Sequence, residues 1–229
     1  GDGVPSYQGV LNSGIYIWGA DLRVANDGID LPPYQRVGNT SVTPSDYDTV
    51  GFPKYLRFDG IDDFLQTSSI NFTSTDKMTV FAGVRKFREA DEIICELGTN
   101  YTDFGGFYFN NYATAKFVYG GRGQRSGVSN DDALWTVAAP VTAVMTAQQG
   151  INLGLPSTLR GNGVLRGSSI NTTFGGGTFG NYPLYIGRRG GTSLALNGRI
   201  YGIIVRGSQS SNSEIVSAES YMNGKTKAF

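Results

Sequence analysis

The chain has 229 residues, enough to bury a sizeable core as one large domain or one domain with an appendage. Lys and Arg together number 19, as do Asp and Glu, so the net charge is zero and the basic excess expected of a nucleic-acid or anionic-membrane binder is missing. There is no histidine and a single cysteine, Cys95, which excludes an intrachain disulfide, a Cys/His zinc site and Ser-His or Cys-His nucleophilic chemistry.

Glycine, at 33 residues, punctuates apolar runs without a fixed period, which is the turn chemistry of many short strands. Residues 1–53 read as an extended arm. One apolar strand stands out there, Gly14-Ile15-Tyr16-Ile17-Trp18-Gly19-Ala20, and Pro32, Pro33, Pro44 and Pro53 follow too densely for central strands. That strand either adds to the main sheet or ends an upstream domain. From residue 54 the strand signals come at short intervals. Tyr55 to Leu65 reads as strand, acidic turn and return strand, with Asp59-Gly60 predicting the first hairpin of a β domain. Met78 to Phe87 is the most apolar run and predicts a central strand, with Glu92 to Leu97 paired to it across the charged loop Arg88 to Asp91. Gly106 to Tyr112 and Lys116 to Tyr119 predict another hairpin, with Asn110-Asn111 as its candidate turn. Asn162-Gly163 is the strongest short hairpin signal. Arg188-Arg189-Gly190-Gly191 reads as a solvated hairpin loop, with contact to an anionic sugar as the alternative. Ser211-Asn212-Ser213-Glu214 fits a capping box opening a helix, with Ile215, Ala218 and Met222 on one face and Gly224 as its stop. The pattern predicts an antiparallel β-sandwich over residues 54–229 with one short C-terminal helix.

Three motifs carry a resemblance. Tyr55-Leu56-Arg57-Phe58-Asp59-Gly60-Ile61-Asp62-Asp63 resembles the F-D-G-x-D-D opening of laminin G-like, concanavalin A-like jelly rolls. Leu184-Tyr185-Ile186-Gly187-Arg188-Arg189, then Leu196 to Val205, then the helix with Glu214-Ile215, are similar to the end of the same family. Together they resemble the versions found in tailed-bacteriophage and prophage structural proteins. Ile15 to Ala20 resembles the last strand of a carbohydrate-binding jelly roll placed upstream. The resemblance implies an all-β concanavalin A-like jelly roll and a non-catalytic module on the virion surface. It implies glycans or host surface polysaccharide and other virion proteins as partners, and leaves a homo-oligomer open. Neither nucleic acid nor membrane belongs among the partners. The alternative is a purely structural decoration or assembly domain of the phage head or tail. Fold alone does not choose between them.

Candidate residues follow from chemistry. Glycoside hydrolysis needs two carboxylates across one sugar bond. Glu89, Asp91 and Glu96 are the nearest set, but Glu89 and Glu96 are seven residues apart, which places them on opposite faces of a strand. The chain is therefore expected not to be an enzyme. Asp59, Asp62 and Asp63 form an oxygen-rich turn suited to calcium, against the plainer reading that they shape the turn. A sugar site stacks an aromatic ring on the pyranose and holds hydroxyls with Asn, Asp and Arg. Tyr101, Asp103, Phe104, Asn110, Asn111, Tyr112 and Arg122 are the candidates for it.

Overall fold

Met78, Val80, Ala82 and Val84 alternate along one strand and are all fully buried, the signature of a strand whose face lies on a core. The same alternation repeats along the chain and builds two sheets. In the computed structural model the described residues are 55–100, 103–121, 133–152, 154–170 and 177–229. Their strands are β1 (Leu56–Asp59), β2 (Leu65–Asn71), β3 (Lys77–Lys86), β4 (Glu92–Leu97), β5 (Phe107–Tyr112), β6 (Lys116–Gly121), β7 (Ala133–Thr136), β8 (Val141–Gly150), β9 (Pro156–Gly161), β10 (Val164–Ile170), β11 (Asn181–Ile186) and β12 (Asn197–Arg206). Helix α1 (Asn212–Thr226) closes the order. One six-stranded sheet runs β1-β12-β3-β8-β9-β10, the other β2-β11-β4-β5-β6-β7. Every pairing is antiparallel. The expected arm, residues 1–53, lies outside the described residues.

The core is the layer between the sheets. Met78, Val84, Met145 and Leu159 from the first sheet meet Leu97, Phe107, Phe109, Phe117 and Tyr119 from the second. Cys95 is fully buried there as a small apolar side chain. Along one side the sheets nearly touch, since a Cβ on Gly167 of β10 would sit 2.2 Å from the carbonyl oxygen of Leu134 on β7. On the other side β1 and β2 are the edge strands among the described residues, and an apolar cavity of about 320 Å³ opens between them, lined by Leu56, Leu65, Ile186, Ile200 and Ile203 among others.

Two expected hairpins are corrected. β1 pairs with β12 and β2 with β11, so Asp59-Gly60 turns the chain from one sheet to the other. The carboxylates hold this corner: Asp59 Oδ1 accepts from the Ile61 N–H at 2.7 Å, and Asp63 Oδ2 from the Asp59 N–H at 3.1 Å. Likewise β3 and β4 belong to different sheets. Alternation gives a strand's buried face but not its partner, so neighbours in sequence need not be neighbours in a sheet. Asn110 and Asn111 lie inside β5, which pairs through Tyr112 with Lys116. The Asn162-Gly163 turn between β9 and β10 stands as expected, both residues with positive φ.

The helix packs Ile215 and Met222 onto Phe81 and Val144 on the outer face of the first sheet. It lies close because Gly83 and Gly202 leave room: a Cβ at Gly83 would come within 2.9 Å of Thr226 Cγ2. Glu219 fixes it from the side, accepting from Arg160 Nε at 2.8 Å and Thr146 Oγ1 at 2.9 Å. The capping box forms as expected, but the helix passes Gly224 and ends at Lys227 in the left-handed conformation.

Two predictions follow from these contacts. Gly167→Ala drives a methyl into the Leu134 carbonyl and is expected to cost about 1–3 kcal/mol, read by urea unfolding. Glu214 has its pKa lowered from 4.5 to about 2 by the Ser211 N–H and by Arg206. A depressed carboxylate stabilises the fold above its unfolded pKa and ceases to do so as pH falls through the folded value. Glu214→Ala is therefore expected to melt below the parent at pH 7, the gap closing between pH 4.5 and about 2 in thermal scans.

Candidate functional site

The outer face of the second sheet carries a different kind of surface from its apolar inner face. Because Leu97, Phe107 and Phe109 point into the core, their neighbours Glu96, Tyr108 and Asn110 point outward. Strand register then lines up Tyr185 of β11, Glu96 of β4, Tyr108 of β5 and Gly120 of β6 in one row. Asn110 heads the next row with Val118 and Leu134, and Tyr112 stands opposite Lys116 in the row beyond. A helix covers part of the corresponding face of the first sheet. Among the described residues no helix lies on this one.

Glu96 is the charged centre of the row. It is 1% exposed, and Arg189, 17% exposed, reaches it from the loop after β11 with Nε 3.1 and 2.9 Å from the two carboxylate oxygens. Burial raises the Glu96 pKa, Arg189 opposes that rise, and the charge of Asp103 adds to it. On the opposite side of the same strand the Cys95 thiol is pushed far above its usual range, first by burial and then by the Glu96 charge, so it stays protonated. Beside the row, Asn110 is buried and its Oδ1 has no hydrogen-bond partner among the described residues. An unpaired buried amide oxygen is costly, and at a sheet face it offers an acceptor to a ligand.

The sequence-derived candidates separate into groups. Asn110 and Tyr112 share the outer face, and Tyr112 is 43% exposed. Asn111 points the other way, fully buried, its Nδ2 donating to the Arg88 carbonyl at 2.9 Å and to Glu92 Oε2 at 3.0 Å. Asp103 closes its own loop, accepting from Thr99 N, Thr99 Oγ1 and Asn100 N at 2.6, 3.0 and 3.1 Å. Phe104 is 46% exposed, with its carbonyl bound by the Tyr182 hydroxyl at 2.9 Å. Tyr101 and Arg122 lie outside the described residues. The ligand oxygens of Asp59, Asp62 and Asp63 come within 4.8 Å of one another, all on exposed residues. Asp59 and Asp63 also serve the turn's own amides, so a calcium ion there would draw further oxygens from water or backbone.

Tyr108 and Tyr185 were missed. The alternation Phe107-Tyr108-Phe109 carried the signal for Tyr108, since one tyrosine between two core phenylalanines must face outward. Arg189 is corrected from a solvated loop residue to the partner of a buried carboxylate, which no local pattern announces.

No protein-family model and no curated protein sequence matches the chain. Solved structures do. A heptameric SAP-like pentraxin from Limulus polyphemus aligns at a TM-score of 0.55 and 12% identity, over 71% of this chain and 80% of that one. The binding domain of botulinum neurotoxin serotype G aligns at 0.57 and 10%, over 73% and 42%. The CBM40 of a Ruminococcus gnavus IT-sialidase, bound to α2,3 sialyllactose, aligns at 0.50 and 15%, over 68% and 97%. The fold is that of the lectin-like jelly rolls. At these identities the likeness establishes architecture, and function has to be argued from this chain's own residues.

The Glu96–Arg189 pair has a measurable consequence. Arg189→Leu leaves a buried carboxylate without its cation and is expected to cost roughly 3–5 kcal/mol at pH 7, with much of it recovered in Glu96→Gln/Arg189→Leu. Glu96 has a raised folded pKa, so its burden is absent below its unfolded value and grows as pH rises through the folded one. The Arg189→Leu defect should accordingly shrink in acid, read by denaturant unfolding at pH 4 and pH 7.

Proposed function

We propose that this chain is a non-catalytic carbohydrate-binding module whose sugar rests on the outer face of the second sheet. The observation that carries the reading is the exposed ring of Tyr112, 43% exposed, two residues along β5 from Asn110, whose Oδ1 has no hydrogen-bond partner among the described residues, with Tyr108 and Tyr185, each 7% exposed, and the Glu96–Arg189 pair packed beside them as the floor of the face. The exposed Tyr112 ring offers an apolar face to a pyranose, and amide, carboxylate and guanidinium groups fix its hydroxyls. That face carries one carboxylate in the row, already held by Arg189, whereas glycoside cleavage uses a pair. The sialyllactose named for the R. gnavus domain supports the same ligand class here. The sequence resemblance to phage structural proteins extends the proposal to a virion-surface module that meets host polysaccharide in many copies, where avidity compensates for weak single sites. Calcium at Asp59, Asp62 and Asp63 is part of the same proposal.

A specific observation favours a second reading, an assembly domain. Leu56, Ile61, Phe64 and Leu65 are all exposed around the β1–β2 corner, next to the apolar cavity, and a contiguous apolar patch suits a protein partner.

A glycan array on the purified chain, with calcium and then with a chelator, tests both. Binding to a defined sugar class is expected, weakened about tenfold or more by Tyr112→Ala with the fold intact by circular dichroism. Loss on chelation assigns calcium to the Asp59 turn, and retention removes it. No binding by an intact fold overturns the glycan reading in favour of assembly.

A further inference from the structure

The first sheet carries a second charged feature, independent of the site above. β1, β12 and β3 are neighbours, and their register places Arg57 opposite Arg199 and Arg199 opposite Arg85. Three arginines therefore stand side by side in one cross-strand row. They share the outer face, since Phe58 and Val84 beside them point into the core. Their guanidinium carbons all lie over one ring, that of Phe87, at 4.5 Å for Arg57, 5.5 Å for Arg85 and 5.5 Å for Arg199. Arg199 also stacks on Tyr55 at 4.2 Å.

Like charges directly opposite on neighbouring strands are destabilising, and such rows are ordinarily broken by an acidic residue. Here none of the three forms an ion pair among the described residues, while Arg88, Arg160, Arg189 and Arg206 each have a carboxylate. The carboxylate two residues along β1, Asp59, accepts from the Ile61 N–H instead. The Nε atoms of Arg85 and Arg199 are buried and have no hydrogen-bond partner among the described residues. Asn197 Oδ1, two residues from Arg199, is likewise buried and unpaired. Arg57 is exposed, so the row is open at its outer end. The aromatic rings cover guanidinium faces, which leaves the N–H edges as the groups that lack partners. Guanidinium edges are matched by the planar or trigonal oxygens of carboxylate and sulfate.

We propose that Arg57, Arg199 and Arg85 form a binding site for an acidic polysaccharide, whose carboxylate or sulfate groups take the three unpaired guanidinium edges. Neighbouring strands lie about 4.8 Å apart, so the row spans roughly 10 Å, about the reach of two linked sugar rings. A zero net charge disfavours nucleic acid, whose binding depends on counterion release by a basic excess. The acidic ligand restores the neutrality that the row lacks.

The test uses the full chain against dextran sulfate, alginate, neutral dextran and duplex DNA, by titration calorimetry at low and physiological salt. Dextran sulfate and alginate separate sulfate from carboxylate recognition. Binding to at least one of the two is expected, with none to neutral dextran. Arg57→Gln, at an exposed position, is expected to weaken it about tenfold, and Arg57→Gln/Arg85→Gln/Arg199→Gln to abolish it. Without ligand, Arg57→Gln is expected to melt at or above the parent temperature, because repulsion is relieved. A purely structural stacking role would lower the melt instead. The proposal fails if neither acidic polysaccharide binds, if binding is unchanged in Arg57→Gln, or if duplex DNA binds more tightly through the same arginines. Loss of glycan-array binding by Tyr112→Ala with acidic-polysaccharide binding retained would separate this site from the outer face of the second sheet.

Discussion

Strand β3 is buried on both faces, and the rest of the fold depends on that constraint. Its inner side chains, Met78, Val80, Ala82 and Val84, build the layer between the sheets, while Phe81 on its outer side seats the helix. It pairs along its full length with β8 and with most of β12, which fixes the middle of the first sheet. The residues along its outer side then set what each part of that face can do. Phe81 and Gly83 admit α1, and Arg85 begins the basic row where the helix ends. A double-sided strand cannot shift register by one residue without moving apolar side chains into water on one face or charges into the core on the other.

Charge is handled differently in different places. Lys86 is fully buried, yet its Nζ lies 3.0 Å from Glu89 and 4.8 Å from the Phe117 ring. Burial works against ionisation of Glu89, but the Ala139 N–H and Lys86 outweigh it and its pKa is lowered. Arg160 and Glu219 lock the helix to β9, and Arg189 and Glu96 hold the loop after β11 over the tyrosine row. In each case a charge removed from water has a close partner, as the cost of an isolated buried ion requires. The arginine row departs from this pattern: Arg57, Arg85 and Arg199 have no ion pair among the described residues.

The two candidate faces also differ in how the sheets are closed. Gly167 lets β10 and β7 meet, so one side is sealed by backbone contact. The other side ends, among the described residues, in the edge strands β1 and β2 with an apolar cavity between them. Polar groups therefore lie on the flat faces and exposed apolar side chains lie at the β1–β2 edge.

The sequence by itself determined the fold class, the strand-rich organisation, the Asn162-Gly163 hairpin, the capped helix and the buried Cys95. Each rests on local periodicity or on the conformational demands of one or two residues, which a linear reading contains. It also placed Asn110 and Tyr112 among the candidates by residue type. Only the tertiary structure decided which strands pair, because alternation fixes a face and not a neighbour. That is why the Asp59-Gly60 turn became a corner between sheets, and why Asn111 turned inward while Asn110 turned out. The partners Glu96 and Arg189 are 93 residues apart, and the register that aligns Arg57, Arg85 and Arg199 joins three separate strands. Such juxtapositions arise from long-range pairing, and no window along the chain contains them.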